Sequence, residues 1–363
     1  MSNVPFTSNT AQLPDGIDIF FTDSGPPPGS TDYTTIIVLH GIAFTGDNLK
    51  KLHNHAHAFN LRTVIWNRRD YVGSSKYTSD ELEDLNHGQR AFLDRLGVHL
   101  AQFLLWFIEQ HNVPKVNADR TTGGFAIMGW SLGNLTAITL FSHKNLFAPE
   151  TYELLGKYVK NLIIYDATLL AFGWRLPPSE TPPNIYDPLT TFTTEPPEVA
   201  QHNFDVWVSS YYDHPKNPES VRDLHFARRT EFATSDTWSA EDLKAFHDYD
   251  AFRRSDMPVF QPTMQSIIRE LSDRVLGLDD NTSTMAFPNC PIIYLRPTRT
   301  TWRCYWFGIQ AERTYDEHRR NGRNVRTAIF LPIEGGNHFA HWDMPQKVME
   351  ALAFGVHNDS AIV

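Results

Sequence analysis

A serine stands between two glycines in the segment GWSLG at 129–133, and this spacing is the strongest chemical signal in the chain. The apolar run 125–128 precedes the segment, and residues 134–141, with apolar side chains at helical spacing, follow it. A chain that passes from strand to helix at a serine must turn sharply, which lifts the hydroxyl above the sheet. Flanking glycines keep side-chain bulk away from the neighbouring backbone. We therefore predict that Ser131 is a nucleophile.

A serine hydroxyl is a poor nucleophile at neutral pH, so it needs a base. The segment EGGNHFAHWDMP at 334–345 supplies two histidines after a predicted strand and a Gly-Gly turn. His338 comes directly after this turn, which places it at the same edge of the predicted sheet as Ser131. His341 is the alternative base, or a structural or substrate-facing neighbour. We predict that His338 is the base.

Attack on a carbonyl also requires backbone N–H donors for the oxygen that becomes negatively charged. The segment LHGIAFTG at 39–46 ends a predicted strand, and its loop can direct the N–H of Ile42 or Ala43 toward that oxygen. Leu132 follows the serine at a helix N-terminus and would supply the second donor. The predicted oxyanion hole is therefore Ile42 with Leu132. We interpret His40 as a residue that shapes the loop.

The elements that must position these groups follow from the hydrophobic pattern. Runs that are apolar on both faces predict strands of a parallel sheet with helices on both sides, which is a doubly wound α/β architecture. Segment 89–111 predicts a long crossover helix, and 345–356 predicts a closing helix. The predicted strands lie at 34–41, 61–67, 124–129, 159–167, 290–297 and 326–336.

The sequence changes character between about 172 and 288. Seven prolines between 177 and 197 interrupt regular structure. Helical segments follow, including one that begins at Ser239 with Asp242 as its capping partner, and another at 264–277. We predict a mainly helical insertion within the sheet. The domains are then a first core part at 1–171, a cap at 172–288 and a second core part at 289–363.

Charge and composition restrict the partners. Lysine and arginine number 32 against 42 aspartates and glutamates, a net charge of −10 without a basic block, which disfavours nucleic acid and anionic lipid. A neutral small molecule fits better. The sequence does not indicate an oligomeric state.

Localisation and cofactors follow from weaker signals. The first residues lack a basic region followed by an apolar run, so we expect no secretory signal, and we expect no apolar run of the ~18 residues that span a bilayer. Cys290 and Cys304 are too few for a disulfide framework, although they could pair once. We expect a cytoplasmic protein without cofactor or metal. The histidine-rich segment HNHAHAF at 53–59 is interpreted as a solvated helix face.

Together, HG at 40–41, GWSLG at 129–133 and GNHF at 336–339 with Pro345 resemble the α/β-hydrolase fold superfamily. The chain is most similar to the branch that carries a helical cap after the sixth core strand. The resemblance covers roughly 32–170 and 289–356.

One segment departs from the pattern of this superfamily. Residues 66–74, WNRRDYVGS, correspond to a stretch that usually reads Asp-x-Arg-Gly-x-Gly-x-Ser. Here Asn67 replaces the aspartate and Asp70 replaces a glycine, while Arg69 and Ser74 are kept. This loop is therefore unusual.

The resemblance also raises the question of the acid that should accompany the histidine. Members generally place it just after the seventh strand, but residues 291–306 contain no carboxylate. A subset of the superfamily, including some lipases, holds the acid at the end of the sixth strand, where this chain has Asp166. We predict that Asp166 is the acid. The alternatives are Glu334, Asp343 and Asp256.

The resemblance implies a serine hydrolase that cleaves an ester-like bond through an acyl-enzyme on Ser131. The bond would be a carboxylic ester, lactone or thioester in a small to medium apolar substrate. One alternative is a biosynthetic carbon–carbon hydrolase, cyclase or lyase that uses the same triad. Another is a non-hydrolytic ligand receptor. Epoxide hydrolase and haloalkane dehalogenase are disfavoured because those relatives need aspartate at the position of Ser131.

Overall fold

The core of the protein is an eight-stranded, mostly parallel sheet. The computed structural model describes residues 5–183, 185–279 and 285–358. The strand order is β1-β2-β4-β3-β5-β6-β7-β8, in which β1 and β2 run antiparallel and all pairs from β4 to β8 are parallel. The strands are β1 (Thr7–Leu13), β2 (Ile17–Asp23), β3 (Thr34–Leu39), β4 (Leu61–Trp66), β5 (Phe125–Trp130), β6 (Val159–Tyr165), β7 (Ile292–Pro297) and β8 (Ala328–Ile333).

Burial on both faces explains the sequence of the central strands. Every residue of β3, β4, β5 and β6 is buried, so apolar residues occupy both faces of these strands instead of alternating with exposed polar ones. All six strands predicted from these runs are present, each within two or three residues of its predicted ends. The prediction of a doubly wound, mostly parallel α/β sheet is confirmed.

Helices connect and flank the strands. The long helix α3 packs against β1 and α4, and the last helix, α12, packs against β7 and β8. The helices are α1 (His53–Ala56), α2 (Ser79–Asn86), α3 (Arg90–Gln110), α4 (Gly133–Thr139), α5 (Pro149–Gly156), α6 (Pro197–Ser209), α7 (Ala240–Phe246), α8 (Tyr249–Ala251), α9 (Pro262–Leu276), α10 (Trp302–Arg320), α11 (Ala340–Asp343) and α12 (Pro345–His357).

The hairpin of β1 and β2 is absent from the sequence-based prediction. Its signal is a short alternating pattern around the turn residues Pro14, Asp15 and Gly16. Asp15 and Gly16 both have positive φ, 62° and 70°, which turns the chain back so that Leu13 pairs with Ile17. The hairpin extends the parallel sheet at its β4 edge with two antiparallel strands.

The long helix α3 has the length and composition of a membrane-spanning helix. The expectation that no apolar stretch reaches membrane-spanning length is therefore wrong for this helix by length and composition. More than half of its most apolar window is buried inside the protein. Such burial is typical of a core helix in a globular domain.

Between β6 and β7, the residues that the structure describes form helices and irregular segments without a strand of the sheet. Ser239 and Asp242 form the predicted capping box at the start of α7. Two isolated bridges occur here, Ser210 with Ala233 inside the segment and Phe44 with His247 between the segment and the β3 loop. The domain boundaries stay a prediction, and residues 1–4, 184, 280–284 and 359–363 of the proposed domains lie outside the described ranges.

The interpretation of the histidine-rich segment is wrong for His53. Its side chain is fully buried, and its ring nitrogens lie 2.9 Å from Thr22 Oγ1 and 2.7 Å from Thr63 Oγ1. Burial lowers the pKa of His53 to about 4, so the ring is neutral. His53 is therefore a hydrogen-bonded core residue between α1 and the sheet. Cys290 and Cys304 are both buried and do not form the disulfide that the sequence left open.

Candidate active site

Ser131 occupies a sharp turn between β5 and α4. Its φ is 53°, a left-handed conformation that non-glycine residues rarely adopt and that often marks a functional site. A Cβ at Gly129 would lie 2.3 Å from Asn134 Cα, and one at Gly133 would lie 2.2 Å from Leu39 O. Both glycines are thus required by the close packing of the turn, as the spacing of the segment predicts.

Replacing Gly133 with alanine is expected to destabilise the fold. The added Cβ would contact backbone oxygens of Leu39 and His40, which cannot move aside as a flexible side chain can. Overpacking of this kind costs about 1–3 kcal/mol, occasionally more, so the thermal midpoint should fall by several degrees. Gly156→Ala is the matched control, since its added Cβ meets nothing within 4 Å. Indistinguishable melting curves for the two variants would contradict this account of the turn.

His338 and Asp166 form a buried pair at the same edge of the sheet. Asp166 directly follows β6 and has a φ of 41°, and His338 lies in the loop after β8. His338 Nδ1 lies 2.6 Å from Asp166 Oδ2, and the two residues are only 2% and 1% exposed. Thr300 Oγ1 donates a second hydrogen bond of 2.6 Å to the same carboxylate oxygen. The carboxylate therefore fixes the orientation of the imidazole ring.

The other acids considered from the sequence bind elsewhere in the described structure. Asp343 accepts hydrogen bonds from Tyr211 and Thr234, and Asp256 pairs with Arg68. Glu334 is exposed to solvent. Of the four carboxylates, Asp166 alone is hydrogen-bonded to His338 in the described ranges.

His341 is buried next to Trp130 and Tyr165, beside the candidate site. Its ring nitrogens lie 3.2 Å from Tyr165 Oη and 3.2 Å from Asn48 Oδ1, and it packs edge-on against Trp130. Burial, together with the neighbouring His338 and Lys51, holds the pKa of His341 well below its usual value. His341 is thus a neutral, hydrogen-bonded neighbour, and it is not the histidine that pairs with Asp166.

Ser131 and His338 line one cavity. His338 uses Nδ1 for Asp166, so Nε2, on the opposite side of the ring, is free to accept a proton. In the described residues no hydrogen bond joins the Ser131 hydroxyl to this ring. Such bonds are often long in unliganded enzymes and shorten when substrate binds.

The loop after β3 contributes to the lining of the same cavity. Ile42 and Leu132 both line it, together with Ser131. The N–H of Ala43 is already used, because it donates to Tyr71 Oη at 2.9 Å and to Asp256 Oδ2 at 3.1 Å. Of the two alternatives that the sequence left open, Ile42 is the one that lines the cavity and whose N–H is not used by Tyr71 and Asp256.

The cavity itself is small and mostly apolar, with a volume of about 30 Å³. Arg303 is the charged exception, and it is paired with Asp187. The segment between β6 and β7 contributes much of the lining, which the sequence could not specify. These residues are Leu170, Thr168, Leu189, Phe204, Trp207, Val208 and Phe260.

Cys304 was missed by the sequence analysis. Its Sγ lies 3.7 Å from His338 Nδ1, and burial raises the pKa of its thiol well above the usual value. Among the described residues, Asp166, Cys304 and His338 form a group whose ligand atoms could hold a metal ion. The 2.6 Å contact between Asp166 and His338 is, however, the length of a charge-assisted hydrogen bond. We therefore interpret the group as a hydrogen-bonded pair with a neutral thiol beside it.

Known proteins resemble this chain at the level of structure. No protein-family model and no curated protein matches its sequence. An esterase from Exiguobacterium antarcticum shares 16% identity at a TM-score of 0.51, over 96% of this chain and 99% of the esterase. A variant of an epoxide hydrolase from Solanum tuberosum shares 11% identity at a TM-score of 0.56, over 98% and 100% of the two chains. An epoxide hydrolase mutant from Vigna radiata shares 10% identity at a TM-score of 0.50, over 98% of each chain.

These neighbours share one architecture, and the chain has the α/β-hydrolase fold. The resemblance inferred from the three sequence segments is thereby confirmed for the fold. At identities of 10% to 16% the likeness extends to the fold alone. The chemistry must be argued from the residues of this chain.

Proposed function

We propose that the protein is a serine hydrolase that cleaves an ester-like bond of a small to medium apolar substrate. The bond is a carboxylic ester, lactone or thioester, and no cofactor or metal takes part. The observation that carries the proposal is the buried 2.6 Å pair of His338 and Asp166 beside a cavity that Ser131 also lines. The esterase among the structural neighbours is consistent with this reaction class.

The reaction begins with attack of Ser131 Oγ on the carbonyl carbon of the substrate. His338 Nε2 takes the hydroxyl proton as the bond forms, and Asp166 stabilises the resulting imidazolium. The carbonyl oxygen becomes an oxyanion, which accepts hydrogen bonds from the N–H groups of Ile42 and Leu132. His338 then gives its proton to the leaving alcohol or thiol, and an acyl-enzyme remains on Ser131.

Water releases the acyl group by the same steps in reverse order. His338 removes a proton from the water, whose oxygen attacks the acyl carbon. The second tetrahedral intermediate collapses, the proton returns to Ser131 and the carboxylic acid leaves. Each group thus acts twice, which is why removal of one member of the triad stops both halves of the cycle.

The substrate class follows from the lining of the cavity. Apolar side chains dominate the lining, and the positive charge of Arg303 is compensated by Asp187, so an uncharged acyl group fits best. The cavity volume of about 30 Å³ is well below the roughly 300–1,000 Å³ of pockets that hold drug-sized ligands. Binding of an ester therefore requires the segment between β6 and β7 to move away from Ser131.

The cavity lining should set the preference for acyl-chain length. Leu189 is half-buried and lines the cavity, so Leu189→Ala is expected to raise the hexanoate-to-acetate ratio of kcat/KM for p-nitrophenyl esters by about tenfold. Leu243→Ala, on the exposed side of α7 in the same segment, is the matched control and should leave the ratio unchanged. An unaltered ratio in Leu189→Ala would show that this segment does not contact the acyl chain.

One experiment tests the proposal against its alternatives. The protein is incubated with a fluorophosphonate and, separately, with p-nitrophenyl esters of increasing chain length. Covalent labelling together with ester turnover is the expected result. Labelling without turnover would favour carbon–carbon cleavage, cyclisation or elimination by the same residues. The absence of both would overturn the proposal in favour of a ligand receptor.

A further inference from the structure

The unusual loop after β4 contacts the peptide that carries the Ile42 amide. Ile42 N–H and Gly41 C=O belong to one peptide unit. Gly41 O accepts hydrogen bonds from Arg68 Nη2 at 2.9 Å and from the His40 ring at 3.0 Å. Both lone pairs of this carbonyl are thus engaged, one of them by a cation.

The tautomer of His40 follows from its two contacts. Its Nε2 accepts a hydrogen bond of 2.9 Å from the backbone N–H of Arg68, so the ring proton must be on Nδ1, which donates to Gly41 O. Burial and the positive charge of Arg68 hold the pKa of His40 well below its usual value, so the ring is neutral. His40 therefore supports the loop and does not carry protons in the reaction.

Arg68 is held in place by a carboxylate from the segment between β6 and β7. Its Nη2 lies 2.9 Å from Asp256 Oδ1, and Asp256 is fully buried. Tyr71 also donates to Asp256 and stacks beside the guanidinium, with 4.9 Å between its ring and Arg68 Cζ. Burial alone would lower the pKa of Arg68, but the Asp256 carboxylate outweighs it and raises the pKa, so the guanidinium stays charged.

The same carboxylate fixes the residue on the other side of Ile42. Asp256 Oδ2 and Tyr71 Oη both accept from the N–H of Ala43, whose φ is 63°. The backbone is therefore held on both sides of the Ile42 N–H. Arg68 binds the preceding carbonyl of Gly41, and two acceptors bind the following N–H of Ala43. These contacts stabilise the loop in a strained conformation, with Ala43 at a positive φ.

We propose that Arg68, anchored by Asp256, is a positioning residue that orients the Ile42 N–H in the oxyanion hole and strengthens it as a donor. A cation on a peptide oxygen draws electron density from the nitrogen, and hydrogen bonds in such a chain reinforce one another. The Ile42 amide thus binds the oxyanion of the transition state more tightly than it binds a neutral carbonyl. This inference rests on the proposed serine-hydrolase function.

Neighbouring residues of the loop do not share this role. Arg69 pairs with Glu81, and Asp70 pairs with Arg254. Arg254 comes from the same π-helical turn, Phe252–Asp256, as Asp256. The turn therefore makes two ion pairs with the core, only one of which reaches Gly41.

The test compares Arg68→Met with Arg254→Gln. Three quantities are measured: kcat and KM for a p-nitrophenyl ester, the thermal midpoint, and the affinities of a trifluoromethyl ketone and the corresponding methyl ketone. The trifluoromethyl ketone adds to Ser131 and forms an oxyanion, whereas the methyl ketone binds as a neutral carbonyl. Loss of a complete oxyanion donor costs about 10²–10³-fold in kcat, so we expect about a tenfold loss in Arg68→Met with little change in KM.

The ketone pair separates this role from a merely structural one. In Arg68→Met the trifluoromethyl ketone should bind about tenfold more weakly, in proportion to the loss in kcat, while the methyl ketone is unaffected. Arg254→Gln should leave kcat and both affinities unchanged. If Arg68→Met does not fold, Asp256→Asn, which keeps the shape of the side chain but removes its charge, is expected to show the same selective loss.

Two results would overturn the inference. In the first, the wild-type protein is active and the Arg68 or Asp256 variant folds, but the affinities of the two ketones fall equally or do not fall at all. The second is a wild-type protein without ester turnover and without ketone binding, which would remove the proposed function as well. The activity of the wild-type protein thus distinguishes the two failures.

Discussion

Ser131→Ala is expected to abolish ester turnover and covalent labelling while leaving the fold intact. Loss of a triad nucleophile costs about 10⁶-fold in kcat in the best-studied serine hydrolases, because neither the oxyanion hole nor the base can act without it. The Ser131 hydroxyl has no hydrogen bond to His338 in the described residues, and Ser131 lines the cavity, so its removal leaves no buried polar group without a partner. The thermal midpoint should therefore stay close to that of the wild-type protein.

Ser142, just beyond the C-terminal end of α4, provides the control. Ser142 is buried, and its hydroxyl donates to Thr139 O at 2.8 Å, away from the cavity. Ser142→Ala should keep full labelling and turnover, at a small cost in stability. Ester cleavage that survives in Ser131→Ala with an unchanged melting curve would exclude Ser131 as the nucleophile.

Asp166→Asn is expected to lower kcat by about 10⁴-fold, the loss measured for the equivalent change in the serine-protease triad. The asparagine keeps the size of the side chain and a polar contact with Thr300. It removes the charge that fixes the tautomer of His338 and stabilises the imidazolium. Because both side chains are buried, solvent cannot replace this interaction. Fluorophosphonate labelling should slow to a similar extent, with folding little affected.

Carboxylates elsewhere in the chain give the controls for Asp166. Glu334→Gln changes an exposed residue four positions before His338, and Asp343→Asn changes a residue bonded to Tyr211 and Thr234. Neither variant should lower kcat appreciably. A fully active Asp166→Asn variant, or a Glu334→Gln variant with a kcat lowered by several orders of magnitude, would refute the assignment of the acid.

The residues of the candidate site could be predicted because each stands next to a local signal. The flanking glycines indicate the turn at Ser131, and His338 follows a strand and a Gly-Gly turn. The resemblance to the superfamily points to Asp166, because the usual acid position just after the seventh strand is empty and a subset of members holds the acid at the end of the sixth strand; the structure places its carboxylate against His338. Parallel strands bring their carboxyl ends to one edge of the sheet, so residues that directly follow such strands lie near one another.

Other features could not be read from the sequence because they depend on contacts between distant segments. Arg68 and Asp256 are 188 residues apart, and nothing near either residue indicates its partner. The contact of the Cys304 thiol with His338 joins α10 to the loop after β8, and the lining contributed by Leu189 and Trp207 depends on how the segment between β6 and β7 packs. Sequence patterns report the periodicity of an element, and they do not report which element it packs against.

Two errors have more local causes. The hairpin of β1 and β2 is absent from the sequence-based prediction because β1 lies at the edge of the sheet, where only Ala11 and Leu13 of its seven residues are buried and the apolar pattern is weak. His53 was assigned to a solvated face from helical spacing alone. A short helix packed over a sheet buries such a residue, and two threonine hydroxyls on neighbouring strands satisfy the ring.

The central claim is that a covalent acyl intermediate forms on Ser131. It is tested most directly by acid-quenching the reaction with a slowly hydrolysed ester and locating the added mass by peptide mass spectrometry. The account predicts an acyl group on the peptide that contains Ser131, which appears within one turnover, disappears as substrate is exhausted and is absent in Ser131→Ala. Turnover of the ester without any modified peptide, or with the acyl group on another residue, would contradict the account.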